Sequence, residues 1–225
     1  MLVFSINLAR MLAIATCIAA LPACVQARYL MDEPGLNVVL AWRPTDELRD
    51  LGDRPVPRGP WQPLRVDTFA DARGVPTAIG ENIQHATHLP VTTTSLVGPF
   101  VAGGVRSVLA AQGLPLVAGA AQRALRGEVL QFFVSEDNTY NADVVLHLQV
   151  QSDEGKVLWD GTVAGRSKRW GRSLSEDNYA EAYGNAVVEA AKNLFVDAGF
   201  QAAVGNGSPA ALLAEPPPAE PTKGP

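Results

Sequence analysis

The segment 140–151 has the most regular apolar alternation in the chain, and it constrains the fold more than any other feature. Successive side chains of a β-strand point to opposite faces of a sheet. One side of this segment is therefore predicted to face a core; its apolar residues are Ala142, Val144, Leu146, Leu148 and Val150. The turn-forming residues 152–155 and a second β-rich segment, 157–168, predict that the strand continues into a hairpin.

Other segments supply further elements. Four of them are predicted to form strands: 64–69, 78–83, 114–117 and 125–134. Two segments have apolar residues at helical spacing: 96–112 and 176–198. Ser95 is predicted to cap the first helix. Ser173 with Glu176 is predicted to form a capping box on the second, with Ser175 as the alternative cap. Gly103 and Gly104 weaken the first helix, which predicts that another element packs closely against it.

Together these elements predict an α+β fold, in which an antiparallel sheet of about four to five strands is packed on one face by two helices. The folded domain is predicted to span residues 64–200, which is long enough to bury a core. Residues 24–63 are predicted to be a Pro-rich tether or a segment that wraps the domain, because six prolines between 28 and 63 oppose regular structure. Within this range, residues 36–42 could form one short strand. Residues 201–225 are predicted to be a disordered Pro-rich tail.

The leader, residues 1–23, has the pattern of a signal peptide. Arg10 precedes 13 apolar or small residues, which is short of the roughly 20 that a membrane-spanning helix needs. Residues 21–24 (LPAC) resemble the lipobox of bacterial lipoproteins, which makes Cys24 the predicted lipid attachment residue. Cleavage after Ala27, giving a soluble periplasmic protein, is the alternative, and an uncleaved anchor over 1–23 is a third possibility.

Cysteine count and net charge exclude several protein classes. The only cysteines, Cys17 and Cys24, lie within the first 24 residues, so the predicted domain has no disulfide, cysteine-based zinc site or cysteine nucleophile. The formal net charge is −5. Since no excess of basic side chains exists to replace the counterions of phosphates, we predict no nucleic-acid partner.

A basic cluster stands out against this net negative charge. Arg166, Lys168, Arg169 and Arg172 surround Trp170 near the end of the hairpin. Such a cluster could contact anionic lipid headgroups or an acidic protein partner, with the indole at the interface. The alternative interpretation is a charged edge strand that opposes edge-to-edge aggregation.

Side chains that could support catalysis are few. His85 and His88 are three residues apart but lie in a predicted loop, where Glu81 is the one further candidate metal ligand nearby. Asp67, Asp71 and Arg73 cluster at a strand end, where we favour an Asp–Arg pair that stabilises a turn. The sequence contains no Gly-x-Ser-x-Gly, phosphate-binding loop or His-Glu-x-x-His motif. We therefore predict that the protein is not an enzyme and binds no metal or cofactor.

Several of these pieces resemble the YajG-like family of bacterial outer-membrane lipoproteins over residues 64–198 and the leader. They are Cys24, the strand that ends in residues 71–73, the helix closed by Gly113, the strand start at 140–143 and the hairpin residues 155–159. The hairpin and last helix also resemble, more loosely, small domains of envelope-assembly and transport-auxiliary lipoproteins. Membership would imply an α+β domain tethered to the envelope, with no established activity.

The resemblance and the lipobox lead to one expected function. The chain is predicted to be a membrane-anchored lipoprotein on the periplasmic face of the bacterial outer membrane. There it would act as an adaptor or structural module of the cell envelope, with an envelope protein as its unknown partner. The alternative is a lipid-binding accessory subunit of an envelope transport system, which would require a sizeable apolar cavity between the helices and the sheet.

Overall fold

The computed structural model describes residues 35–53, 59–84, 88–171 and 173–205. Helices α1 to α4 span Asp46–Gly52, Val97–Ala111, Glu176–Val196 and Ala198–Val204. Strands β1 to β5 span Leu36–Asn37, Leu64–Val66, Ala70–Asp71, Ala78–Asn82 and Leu89–Thr92. Strands β6, β7 and β8 span Arg123–Glu136, Thr139–Ser152 and Val157–Trp170.

One mixed sheet contains all the strands of the described ranges, in the order β1-β5-β4-β6-β7-β8. The long strands β6, β7 and β8 form an antiparallel meander, which confirms the predicted hairpin. On the other side of β6, three short strands pair with it in parallel, one after another: β2, β3 and β4. The fold is therefore α+β, with helices against the sheet.

The sheet differs from the prediction of about four to five antiparallel strands, because it has eight strands and mixed direction. The strands that were not predicted, β3 and β5, are only two and four residues long, so they show too little alternation to be recognised in the sequence. The parallel pairing of β2, β3 and β4 with β6 comes from crossover connections, which leave no pattern in the local sequence. The predicted strand at 114–117 forms only an isolated bridge, between Leu116 and Leu64.

Both predicted helices are present as α2 and α3, and they cover one face of the sheet. Gly165 of β8 lies directly beneath α3, since a Cβ built there would be 2.0 Å from the carbonyl oxygen of Ala186. A Cβ built on Gly104 of α2 would be 2.5 Å from the side chain of Val187 and 2.7 Å from that of Trp42, which confirms the predicted close packing at this glycine. Phe132 of β6 stacks on Tyr183 of α3 with ring centroids 4.2 Å apart.

The predicted helix caps form different contacts. The α2 helix has Leu96 at its N-cap position with no side-chain cap, and the Ser95 hydroxyl instead accepts a hydrogen bond from the Leu40 amide at 3.0 Å. The N-cap of α3 is Ser175, also without a side-chain bond. Glu176, the predicted partner in a capping box, accepts a hydrogen bond from the Val39 amide at 2.9 Å.

Residues 35–53 belong to the folded core, although the prediction placed them in a tether. Val38 is fully buried, Leu48 and Leu51 of α1 are buried, and the indole of Trp42 donates a hydrogen bond to Ser107 at 3.0 Å. Thr45 caps α1 by accepting a bond from the Leu48 amide. Pro44 therefore precedes a short helix, a position that proline tolerates.

The predicted tail also begins later than residue 201, because α4 continues to Val204. Phe200 and Val204 are fully buried, and Gly205 forms a bridge with Trp61. Burial of these apolar side chains stabilises the helix as far as Val204. The predicted signal peptide, the remaining part of the tether and residues 206–225 lie outside the described residues.

Candidate functional site

The β6–β8 meander has two different faces. The helix-facing side chains of β7 are Ala142, Val144, Leu146, Leu148 and Val150, and each is at most 1% exposed. The opposite side, called the outer face here, is half-exposed along β7 and carries Asp143, Val145, His147 and Gln149. The alternation predicted from the sequence is thus confirmed for β7, with its polar side on the outer face.

A β-bulge in β6 adds apolar surface to this face. Val129 and Phe132 are both buried against the helices, and the two residues between them, Leu130 and Gln131, are both exposed. The strand register with β7 shifts at this point. A bulge aims an extra side chain away from the core. As a result, Leu130 is 44% exposed on the outer face.

We call Leu130, Phe133, Val145 and Ala164 the outer apolar strip. Val145 is paired with Gln131 on β6 and with Ala164 on β8, so these residues cross the meander side by side. Phe133 lies opposite Asp143, two residues from Val145, on the same face. A solvated face of an antiparallel sheet is usually polar, so an apolar strip at its centre is an unusual feature.

Ionic contacts border the outer apolar strip on both sides. Toward the end of β8, the guanidinium of Arg166 donates to Asp143 at 2.8 Å. On the opposite side, a ring nitrogen of His147 lies 3.1 Å from Asp160. Hydrogen bonds from Gln149, and then from His147, hold the pKa of Asp160 below its ordinary value. The carboxylates of Asp143 and Asp160, which lie on either side of the strip, thus already have hydrogen-bond partners within the chain.

Beside His147 lies an open cleft of about 420 Å³, which contains Asp67, Arg126 and Glu128. Arg65 donates to Asp67 at 2.6 Å, and Arg126 lies 3.4 Å from the same carboxylate. The hydrogen bond from Arg65 is the main reason that the pKa of Asp67 is lowered. The carboxylate of Asp67 therefore stays ionised and paired with arginine. Such a carboxylate suits a structural role better than proton transfer.

The structure divides the basic cluster of the sequence between two faces. Lys168 and Trp170 lie on the outer face with Arg166, and Trp170 is 76% exposed. Arg169 points toward α3, where it lies 2.7 Å from Glu181 and also binds Asn178. Arg172 lies outside the described residues. Adjacent strand residues face opposite ways, so the predicted patch cannot act as a single surface.

The described residues among the other candidates for catalysis or metal binding form hydrogen bonds or ion pairs within the fold. Arg73 binds Asp71 at 2.7 Å and donates to the carbonyl oxygens of Pro76, Ala78 and Phe132, which confirms the predicted turn-stabilising pair. His88 lies 3.3 Å from Glu81, and His85 is outside the described residues. Across the part of the chain that the structure describes, no three His, Cys, Asp or Glu side chains come together as a metal site.

A buried polar network, which was not predicted from the sequence, surrounds Glu136, the last residue of β6. Its carboxyl oxygens accept hydrogen bonds from the Tyr179 hydroxyl at 2.8 Å, the Leu174 amide at 3.0 Å and the Gln84 amide at 3.2 Å. Leu174 has a φ of 39°, an uncommon conformation for this residue. The alternation of Phe132 and Val134 would have predicted the inward direction of Glu136.

The described cavities lie at the surface. The first is the cleft near His147. A second cleft, of about 270 Å³, lies between α1 and the start of α3. A third, of about 440 Å³, lies beside Asp143, Arg166 and Lys168. None of these three lies between the helices and the sheet, where the lipid-binding alternative requires a cavity. Within the described ranges, no helix is long and apolar enough to cross a membrane.

Comparisons with known proteins find structural neighbours only. No family model and no curated protein matches the chain. A protein of Xanthomonas campestris from the DUF330 family is 15% identical, with a TM-score of 0.45 over 72% of this chain and 90% of its own. A minor lipoprotein of Acinetobacter baumannii is 9% identical, with a TM-score of 0.37 over 64% and 93% of the two chains.

A third neighbour is the PelC dodecamer of Paraburkholderia phytofirmans. It is 16% identical, with a TM-score of 0.36 over 60% of this chain and 93% of its own.

Proposed function

We propose that this chain is a non-catalytic adaptor of the bacterial cell envelope, anchored by a lipid on Cys24, which holds a protein partner on its outer face. The observation that carries the proposal is the outer apolar strip, of which Leu130 is 44% exposed. The strip lies on the rigid β6–β8 meander, and such rigid elements position a docking surface well.

The surface has the anatomy of a protein interface. Interfaces combine an apolar centre with a polar rim. Here the centre is the strip, and the rim is the Asp143–Arg166 pair on one side and the His147–Asp160 contact on the other. Because these rim charges already have partners within the chain, an approaching protein would not leave them unpaired. The partner we propose is an envelope protein with a complementary apolar patch.

The lipid anchor is proposed from the lipobox-like residues before Cys24, in the predicted setting of the periplasmic face of the outer membrane. Two or three acyl chains on one terminus hold a protein stably on a membrane, because each buried methylene contributes about 0.8 kcal/mol. Cys24→Ser should therefore move the protein from the membrane to the soluble fraction. Cys17→Ser is the matched control and should leave it on the membrane. A Cys24→Ser protein that stays membrane-bound would contradict the anchor.

The docking face is tested by site-specific photocrosslinking in cells. A photoreactive residue at Leu130 should give a discrete adduct of fixed mass. The same residue at Val196, which is 71% exposed at the end of α3, should not. Adding Val145→Asp should abolish the Leu130 adduct, because it places a charge in the centre of the strip. Adducts of equal yield from both positions, or an adduct that survives Val145→Asp, would exclude the outer face as the docking site.

A further inference from the structure

We propose that one end of the sheet faces the membrane that holds the anchor, with the indole of Trp170 in the lipid headgroup region. The inference rests on the lipid anchor of the proposed function and adds the orientation of the domain. Trp170 is the last residue of β8, lies on the edge strand of the sheet and is 76% exposed. Tryptophan favours the membrane–water boundary, because its ring is apolar and its N–H is polar.

The strand pairing shows where the N-terminal chain joins the domain. One row of paired residues crosses the sheet: Leu36, Val91, Gly80, Val134, Ala142 and Ser167. Strand β1 is parallel to β5, and β5 is antiparallel to β4, which is parallel to β6. Strand β8 is parallel to β6, because both are antiparallel to β7, and it therefore runs opposite to β1. Residues before Leu36 thus lie toward the end of the sheet at which β8 reaches Trp170.

A second contact places the N-terminal segment at the same end. The amide of Val39 donates to Glu176 in the first turn of α3 at 2.9 Å. That helix starts only six residues after Trp170, so its first turn and the end of β8 are close neighbours. The chain that leads to Cys24 and the exposed indole therefore share one end of the domain.

The length of the connecting chain limits how far this end can move from the membrane. Cys24 and Gly35 are eleven residues apart, so even a fully extended chain spans at most about 40 Å. A tether of this length keeps the local concentration of the domain at the lipid surface high. A weak contact is then sufficient to orient the domain, whereas it would not recruit an untethered protein.

Charge contributes little to this contact. Of the cations near Trp170, Arg166 is paired with Asp143 and Arg169 with Glu181. Lys168, exposed on the same face as Trp170, forms no ion pair within the described residues. Asp137, in the turn before β7, and Asp177, in the first turn of α3, add negative charge at the same end. The indole is therefore expected to supply most of the attraction, and the orientation should depend only weakly on salt.

Quenching of tryptophan fluorescence tests this orientation. The lipidated full chain is reconstituted in phosphatidylethanolamine–phosphatidylglycerol vesicles whose acyl chains carry bromine, which quenches only nearby indoles. Trp42, Trp61 and Trp159 are half-buried and remain in all variants. The matched control is Trp170→Phe combined with Val157→Trp. It moves the indole to the other end of β8, about 45 Å away, at a position that is 45% exposed in the native chain.

We expect brominated lipid to lower the emission of the wild-type chain, and the loss to disappear in Trp170→Phe. Val157→Trp should not restore it, and added salt should change it only slightly. Equal quenching of wild type and Trp170→Phe would overturn the orientation, as would quenching restored by Val157→Trp. A wild-type chain that is bound but unquenched would indicate that Trp170 contacts water or a protein. Failure of the chain to float with the vesicles would instead refute the lipid anchor.

Discussion

The hydroxyl of Tyr179 donates a hydrogen bond to Oε2 of Glu136 at 2.8 Å, and both side chains are fully buried. The bond joins the first turns of α3 to the end of β6, 43 residues away in sequence. Burial, with further contributions from the hydrogen bond and the nearby charge of Glu136, raises the pKa of Tyr179 far above its ordinary value. The hydroxyl therefore remains protonated and a donor to Glu136 at neutral pH.

Tyr179→Phe should lower the free energy of unfolding by about 1–3 kcal/mol, because it leaves a buried carboxyl oxygen without its donor. The ring and its packing on Tyr140, 5.0 Å between centroids, are retained. Urea denaturation followed by circular dichroism measures the change. An unchanged midpoint would show that the Leu174 and Gln84 bonds alone satisfy Glu136.

Asp71→Asn should weaken the protein at neutral pH and remove part of its acid sensitivity. Hydrogen bonds from Arg73 hold the pKa of Asp71 below its usual 3.8, so the folded state binds this proton less readily than the unfolded state. The stabilisation is therefore complete above about pH 4 and is lost as the pH falls through the folded-state pKa. We expect a loss of about 1.5–3 kcal/mol at neutral pH.

Denaturation of wild type and Asp71→Asn between about pH 6 and about pH 2.5 tests whether the stabilisation by Asp71 is lost as the pH falls. The difference between the two proteins should shrink as the pH falls. Asp143→Asn is the matched control, because Asp143 also pairs with an arginine but both side chains are largely exposed. It should change stability by less than about 1 kcal/mol. A constant difference for Asp71→Asn at all pH values would exclude the ionised pair as its cause.

Thr93→Val should loosen the N-terminal segment from the sheet. The Thr93 hydroxyl donates to the Val38 carbonyl at 2.7 Å and accepts from the Ser95 amide at 3.0 Å, and the side chain is buried. Valine has the same shape but leaves both backbone groups without this partner, at a cost of about 1–3 kcal/mol. Hydrogen exchange should become faster at Leu40 and its neighbours. Unchanged exchange there would mean that packing alone fixes the segment.

Gly165→Ala should be strongly destabilising, because its Cβ would lie 2.0 Å from the Ala186 carbonyl oxygen and 2.3 Å from the Ala190 nitrogen. Both are backbone atoms of α3, so the whole helix must shift, at a cost of about 1–3 kcal/mol or more. Gly74→Ala is the control, because nothing lies within 4 Å of its Cβ position. Equal thermal stability of the two variants would contradict the close contact of α3 and β8.

Local patterns in the sequence determined the β6–β8 meander and the two long helices. Alternation and helical spacing report the direction of each side chain relative to its own backbone, and neighbouring residues alone set that direction. The glycine pair in α2 belongs here too, since small residues predict close packing. The same alternation already places Arg169 on the side opposite Arg166 and Lys168, so the division of the basic cluster could have been predicted.

Only the tertiary structure decided which elements pair with β6, and it brought residues 35–53 into the core. These arrangements depend on contacts between distant residues, such as the Val38 carbonyl with Thr93 and Glu136 with Leu174, separated by 55 and 38 residues. Contacts between residues so far apart leave no periodic pattern in the local sequence. The exposed Leu130 likewise follows from a bulge in the pairing of β6 with β7, and pairing is a property of two strands together.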